Sequence, residues 1–314
     1  MKAMVLKEQG GVENFYLEEL PLPSVNKNEI LIRSRAIGIN PADAIVRANK
    51  RLDSLFLNEK YKILGWDISG IIVAKGSEVN EFNIGDEIFG TIHHPDSSGK
   101  AYAEYVAAPK DQITIKPANI THQQAVASTL AALTILQPFR KVGIKSGDKV
   151  LITAAGDGVG HFAVQLAKYF GAYVIAVASE NKKEFVMGLG VDQFIDYRKE
   201  RFEDIVQNID IVVDAVRSDQ HISRSLKVIK PGGKLISLWS HITTENAMKA
   251  QEKQINAFYN AVRSSGNDMR FIAELLETGK LRPYISKEYT FEEIPLAHKE
   301  IEKNSTKGKI IISL

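Results

Sequence analysis

Between the apolar run "KVLI" and the segment "FAVQLAKYFGA" lies "TAAGDGVGH", residues 153–161. Gly156, Gly158 and Gly160 fall within five residues, where a strand hands over to a helix. A tight strand-to-helix turn gathers backbone N–H groups at a helix N-terminus, and the partial positive charge there suits a pyrophosphate. Glycine is required because a Cβ would keep the backbone from the phosphate, or the helix from the sheet. The spacing is G-x-G-x-G, not the strict G-x-G-x-x-G, so the pattern alone is weak. Its context is stronger: a strand before, a helix after, and a second strand, "YVIAVA", one unit on. An ordinary glycine-rich turn in an α/β protein is the competing reading. Asp157 sits awkwardly in such a loop, since a carboxylate aimed at a pyrophosphate weakens binding. Its side chain is expected to point to solvent or to a neighbouring helix.

The rhythm around this turn extends to about residue 240. "KVLITA", "YVIAVA", "QFIDY", "IDIVVDAV" and "KLISLW" alternate with the helical stretches "VGHFAVQLAKYFG", "NKKEFVMGLG" and "HISRSLKVIK". Strands alternating with helices predict a doubly wound parallel sheet. Residues 1–118 read differently, as short apolar runs cut by Gly, Pro and Asn clusters, which predicts a β-rich, barrel-like domain. Helical spacing over 121–141 begins with Thr121 as N-cap. In the tail, "MRFIAELLETGKL" reads as a helix and "GKIIISL" as a closing strand.

Composition narrows the chemistry. The 314 residues suffice for two domains, and 40 basic against 38 acidic residues leave a formal charge of +2, with no basic tract to suggest a nucleic-acid partner. There is no cysteine, which excludes disulfides, thiolate nucleophiles and Cys-ligated zinc. The N-terminus has no signal-peptide core and no window is long and apolar enough to span a bilayer, so the expected location is the cytoplasm, without membrane attachment.

The end of the second strand decides which nicotinamide cofactor fits. An acidic residue there favours NAD, because it binds the ribose 2′-OH. Here the strand ends in Ser179, and Asn181, Lys182 and Lys183 follow with donors and positive charge, which suits the 2′-phosphate of NADP(H). Glu180 argues the other way if the register shifts by one.

Several stretches, taken in order, carry a resemblance: "GINPADAIVR", "LGWDISGIIVAKGSEVNEFNIGDEIFG", "AYAEYVA", "VASTLAALTILQPF", "AAGDGVGHFAVQLAK", "LGVDQFIDY", "IKPGGKLISL" and "GKIIISL". Together they resemble the zinc-independent quinone oxidoreductase branch of the medium-chain dehydrogenase/reductase superfamily, over essentially the whole chain. The resemblance implies an α/β chain of two parts. A GroES-like substrate domain comprises 1–118 and 268–314, a Rossmann domain comprises 119–267, and the active site lies in a cleft. It also implies a homodimer or tetramer. Zinc-dependent relatives carry Cys, His and Cys where this chain has Asn40, Trp66 and the Ser128–Thr129 pair. His93 and His94 adjoin, but two imidazoles without a third ligand make a poor zinc site. They read as a solvated loop, with a proton-donating histidine over the substrate as the alternative.

The implied residue roles follow. Asn40 orients substrate against the nicotinamide, or serves only as a turn residue before Pro41. Asp43 supports the start of the next helix or the cleft wall. Trp66 is a core or wall residue. Gly156, Gly158, Val159 and Gly160 hold the pyrophosphate. Ser179, Lys183 and Tyr197 serve the adenosine phosphate side, although Tyr197 equally reads as a strand-end aromatic. Thr129 lies near the nicotinamide ribose, and the stretch from Leu238 to Ser240 runs beside the nicotinamide. Lys309 reaches the cofactor or is a surface lysine. Relatives place a tyrosine shortly after this aspartate. Here Ala44 and Ile45 stand instead, which puts a tyrosine proton donor in doubt.

Without a Lewis acid an alcohol is hard to oxidise, whereas a quinone or an electron-poor enone accepts hydride to give a delocalised oxyanion. The expectation is therefore hydride transfer from NADPH to a quinone or to the β-carbon of an α,β-unsaturated carbonyl. The alternative is an NADPH-binding protein with little turnover, in a sensing or structural role.

Overall fold

The computed structural model describes residues 1–57 and 59–314. The first strands are β1 (Lys2–Leu6), β2 (Phe15–Glu19), β3 (Glu29–Ile39), β4 (Lys62–Ile63), β5 (Asp67–Lys75), β6 (Glu87–Thr91), β7 (Tyr105–Pro109) and β8 (Ile113–Ile115). Helix α1 (Pro41–Ala48) follows β3, and α2 (His122–Ala127) and α3 (Leu130–Val142) follow β8. Alternation then sets in: β9 (Lys149–Thr153), α4 (Gly160–Tyr169), β10 (Tyr173–Ala178), α5 (Lys183–Gly188), β11 (Gln193–Asp196), α6 (Phe202–Ile205), β12 (Ile209–Asp214), α7 (Asp219–Val228), β13 (Ile229–Ser237), α8 (Thr244–Glu252) and β14 (Asn256–Tyr259). The chain ends with α9 (Gly266–Glu277), β15 (Ile285–Thr290), α10 (Ile294–Ile301) and β16 (Lys309–Ser313).

Two compact units divide these elements: Met1–Leu133 with Val262–Leu314, and Thr134–Ala261. The sequence reading puts the first division at 118/119 and the second at 267/268. The first falls later because α2, with Ala125, Val126 and Ala127 buried, belongs to the first unit, where Val126 and Ala127 share a small core with Ala36 of β3 and Ile311 of β16.

In the second unit the strand order is β11-β10-β9-β12-β13-β14, and every neighbouring pair is parallel. This is the expected doubly wound order, with its reversal between β9 and β12. Ile175, Leu151, Val212 and Leu235 stand in one cross-strand row, and all four are buried. Each such side chain contributes roughly 1.5–3 kcal/mol when fully buried. That is why these strands are apolar on both faces and not alternating.

The first unit is built on a sheet ordered β15-β16-β3-β5-β6-β8, with β7 also on β3 and a small β2-β1-β4 sheet beside it. β3 is long enough to serve two partners. Its first half, Glu29–Arg33, pairs with β7, and its end, Ala36–Ile39, pairs with β16. Thus the C-terminal strand closes the same β-rich unit that the N-terminus begins. The segments that form β15 and α10 carry no expectation in the sequence reading. "ISKEYT" lacks a buried alternating face, and its residues are only half-buried or exposed.

The helix expected over 121–141 is broken. Thr121 does cap it: its Oγ1 accepts the Gln124 N–H at 3.1 Å, and the Gln124 side chain accepts the Thr121 N–H at 3.0 Å. The helix then stops at Ala127. The Ser128 hydroxyl donates to the Gln124 carbonyl (2.9 Å) and the Thr129 hydroxyl to the Val126 carbonyl (2.7 Å), occupying acceptors that a continuing helix needs. α3 restarts where the Leu130 N–H donates to Asp67 Oδ1, at 3.2 Å.

Candidate functional site

In the second unit, the glycine turn leaves β9 at Thr153, whose hydroxyl donates to the Val213 carbonyl and accepts the Ala215 N–H. Ala154, not a glycine, takes the left-handed backbone (φ 51°). The glycines are needed for space instead. A Cβ on Gly160 would stand 2.1 Å from the Ala154 carbonyl oxygen, and one on Gly156 would stand 2.8 Å from Cδ of Lys182. Val159 precedes α4 without a side-chain cap, so no side chain takes the amides of the first helical turn in its place. His161, fully buried, donates Nδ1–H to the Asp157 carbonyl at 3.0 Å and stiffens the turn. Nothing in the sequence pattern marked that histidine. The cradle and the uncapped ten-residue helix fit a pyrophosphate on Gly156, Gly158, Val159 and Gly160.

The Asp157 carboxylate turns to Lys182, just ahead of α5, and forms an ion pair with it. Burial raises this carboxyl above its usual range, and the ammonium opposes the shift. Sequence reasoning counts Lys182 among the nearby donors but gives the adenosine-phosphate role to Lys183. The Lys182 stem lies along Gly156 and its side chain is 10% exposed, whereas Lys183 is half-exposed and pairs with Glu180 at 3.6 Å. Glu180 also accepts from Lys199 at 3.0 Å, which holds its carboxyl below the usual range. This acid is therefore spent on surface lysines.

The remaining residues follow strand ends. Ser179 is buried after β10, with its hydroxyl on Asn181 at 2.5 Å. Tyr197 follows β11, largely exposed, under the Arg198 guanidinium. Leu238 and Ser240 follow β13, where the Ser237 hydroxyl donates to the Ser240 carbonyl at 2.6 Å. The C-terminal edge of the parallel sheet thus gathers the glycines, Ser179, Lys183, Tyr197, Leu238 and Ser240, the edge on which such sheets bind ligands. Thr129 and Lys309 lie in the other unit.

That unit holds a buried polar cluster. Asn40, at the start of α1, donates from Nδ2 to Asp67 Oδ2 (2.8 Å) and accepts at Oδ1 from the Lys309 ammonium. Lys309 also donates to the Ile39 carbonyl at 3.1 Å and is 3% exposed, so it is neither a surface lysine nor a free one. Asp67 Oδ1 accepts the Thr91 hydroxyl (2.6 Å) as well as the Leu130 N–H. Asp43 accepts the Asn40 N–H at 2.7 Å, a helix-start role, while its other oxygen has no hydrogen-bond partner among the described residues. Burial pushes the Asp43 carboxyl up to about 8, with Asp67 adding to the shift, and burial pushes the Lys309 ammonium down. Beside them the Tyr102 hydroxyl and His298 Nε2 share a 2.9 Å hydrogen bond, and burial lowers the imidazole to about 3.

Trp66 is a core residue, with Nε1–H donating to the Ser97 carbonyl and its ring edge-on to His94 at 5.1 Å. His94 donates Nδ1–H to the Val262 carbonyl at 3.2 Å, and burial lowers its pKa. The neutral ring thus keeps Nε2 as an acceptor, which disfavours it as the proton donor. Among the described residues no group of three or more His, Asp or Glu stands together to hold a metal ion. Nor is any helix long and apolar enough to cross a membrane.

Comparison with known proteins identifies the family. The family described as alcohol dehydrogenase GroES-like domain matches residues 26–118, and zinc-binding dehydrogenase matches residues 189–312. The chain is 32% identical to 2-methylene-furan-3-one reductase of Solanum lycopersicum, over 99% of this chain and 79% of that protein. The chain belongs to the medium-chain dehydrogenase/reductase superfamily. Within this superfamily it is 31% identical to the NADPH-dependent alkenal/one oxidoreductase, chloroplastic, of Arabidopsis thaliana, with the same coverage. The solved quinone oxidoreductase of Coxiella burnetii superposes with a TM-score of 0.92 at 33% identity, covering 100% of this chain and 99% of that one. These likenesses place the chain with the quinone and alkenal oxidoreductases of the superfamily, the zinc-independent branch.

Proposed function

We propose that this protein is an NADPH-dependent reductase of quinones and of the carbon–carbon double bond of α,β-unsaturated carbonyls. The observation that carries the reading is the donor set of the first unit. Where zinc-dependent members have metal ligands, this chain has an amide, an indole and two hydroxyls. Asn40 stands hydrogen-bonded to a buried carboxylate, Asp67, and accepts from the buried Lys309 ammonium on its other side. Two relatives whose names denote enone reductases point the same way.

Bound NADPH supplies a hydride to the electron-poor carbon of the acceptor. The protein's part is to bind, orient and stabilise. The glycine turn and the α4 N-terminus hold the pyrophosphate. Ser179, Asn181 and Lys182 would hold a 2′-phosphate, with the more exposed Lys183 and Tyr197 beside them. Lys309 and the second N–H of Asn40 supply positive potential and a donor for the oxyanion that develops when hydride arrives. In this reading the proton that completes the reduction comes from solvent. Leu238 and Ser240 belong, in this reading, to the nicotinamide end. The working form is taken as a homodimer or tetramer in the cytoplasm, which light scattering and cell fractionation test.

The deciding experiment is NADPH oxidation with a panel of ortho-quinones and 2-alkenals. Turnover with at least one class is expected. Tight NADPH binding with no consumption across the panel would replace this reading with that of a binding protein.

A further inference from the structure

Two negative groups compete for one ammonium at the glycine turn. We propose that Asp157 is a specificity-determining residue: it is a built-in rival of the cofactor's 2′-phosphate for Lys182 and sets how strongly the protein prefers NADPH to NADH. This rests on the NADPH reading above and adds to it the side chain that limits that preference.

The geometry has three parts. Lys182 is tethered near the turn, because its Cδ lies only 2.8 Å from where a Cβ on Gly156 would be, and its side chain is almost enclosed. Its ammonium is paired with Asp157, which is itself part of the turn. Lys182 also stands three residues after Ser179, at the end of the second strand of the unit, where a dinucleotide's ribose is read. Of the other cations nearby, Lys183 and Lys199 are committed to Glu180, Lys199 also faces Asp196, and the Arg198 guanidinium lies over the Tyr197 ring. Lys182 is therefore the cation best placed to meet a 2′-phosphate, and Asp157 is what it must share. NADH brings no such group, so it gains nothing by drawing Lys182 away. The pair thus weakens NADPH more than NADH and narrows the ratio between them.

The test is titration of NADPH and NADH by nucleotide fluorescence or calorimetry, in wild type, Asp157→Asn, Lys182→Met and the double variant. Asp157→Asn should tighten NADPH about 3- to 10-fold, the scale of a partly exposed ion pair, and tighten NADH less. Lys182→Met should weaken NADPH with NADH little changed. In the Lys182→Met background the effect of Asp157→Asn on the NADPH/NADH ratio should vanish, which isolates the coupling. Equal tightening of both nucleotides would overturn the proposal, since it would mean that Asp157 acts only on the shared pyrophosphate. Weaker NADPH binding by Asp157→Asn would overturn it too, as Asp157 would then be positioning Lys182 for the phosphate. If wild type binds neither nucleotide, the NADPH reading itself fails. Circular dichroism and unfolding midpoints confirm that each variant is folded.

Discussion

Lys309 donates to the side-chain oxygen of Asn40 across 269 positions of chain, and through that amide a buried ammonium is joined to the buried carboxylate of Asp67. Neither charge meets the other directly. The amide is polarised from both sides, which fixes its rotation: Oδ1 toward Lys309, Nδ2 toward Asp67. This orientation ties β16, the start of α1 and β5 into one polar unit inside an otherwise apolar core.

Breaking this unit on one side strands buried acceptors. Lys309→Met leaves Asn40 Oδ1 and the Ile39 carbonyl without their donor, and a loss of about 1–3 kcal/mol of stability is expected, the scale for a buried polar group left unsatisfied. Urea unfolding measures it. A loss below about 1 kcal/mol would show that the ammonium is dispensable. Asn40→Ala should lower kcat for quinones and enones while NADPH binding stays close to wild type.

The turn's glycines are not interchangeable with glycines elsewhere. Gly160→Ala puts a methyl 2.1 Å from the Ala154 carbonyl oxygen, so the turn must open. NADPH affinity should fall at least about tenfold, with a loss of stability of about 2 kcal/mol from overpacking. Gly188, at the end of α5, meets nothing within 4 Å and has no left-handed backbone. Gly188→Ala should leave binding unchanged and be neutral or stabilising by up to about 1 kcal/mol. Similar behaviour of the two variants would contradict the role given to the turn.

Asp43 gives a pH dependence with a definite sign. Its carboxyl sits at about 8 in the folded protein against an ordinary value of 3.8, so the folded state holds a proton that the unfolded state releases. Stability from this site is fully present below pH 3.8 and declines as pH rises to about 8. Asp43→Asn removes that dependence. Its stability relative to wild type should therefore rise from pH 5 to pH 8, by up to about 4 kcal/mol at 1.36 kcal/mol per pH unit. A pH-independent difference between the two proteins would rule out a protonated Asp43.

Glu203 works in the opposite sense. Arg224 and, less strongly, Arg201 hold its carboxyl down to about 2, from 4.5. The stabilisation is complete above pH 4.5 and is lost as pH falls toward 2, amounting to roughly 1–3 kcal/mol. Arg224→Ala should flatten the acid limb of the stability profile between pH 5 and pH 3. An unaltered acid limb would show that the pair contributes nothing.

How far the sequence reaches is clearest at individual residues. The second unit's alternation of strands and helices follows from local signals, since each apolar run and each turn lies within a few residues of the next. The break after Ala127 was not legible. "ASTLAAL" has ordinary helical spacing, and what stops the helix is a pair of hydroxyls together with a carboxylate from β5, more than 60 residues away. Lys182 and Lys183 are equivalent in sequence, and only packing over Gly156 puts one beside the turn and the other on the surface. Lys309 next to a glycine reads as a surface lysine until β16 pairs with β3 and delivers it to Asn40. Sequence alone determined the doubly wound sheet, the glycine-rich strand-to-helix turn and the lack of cysteine ligands, because these depend on residue type and short-range spacing. Tertiary structure decided which side chains are enclosed and which charges meet, because burial and Coulomb energy depend on distance in space, and the strands that close the first unit come from opposite ends of the chain.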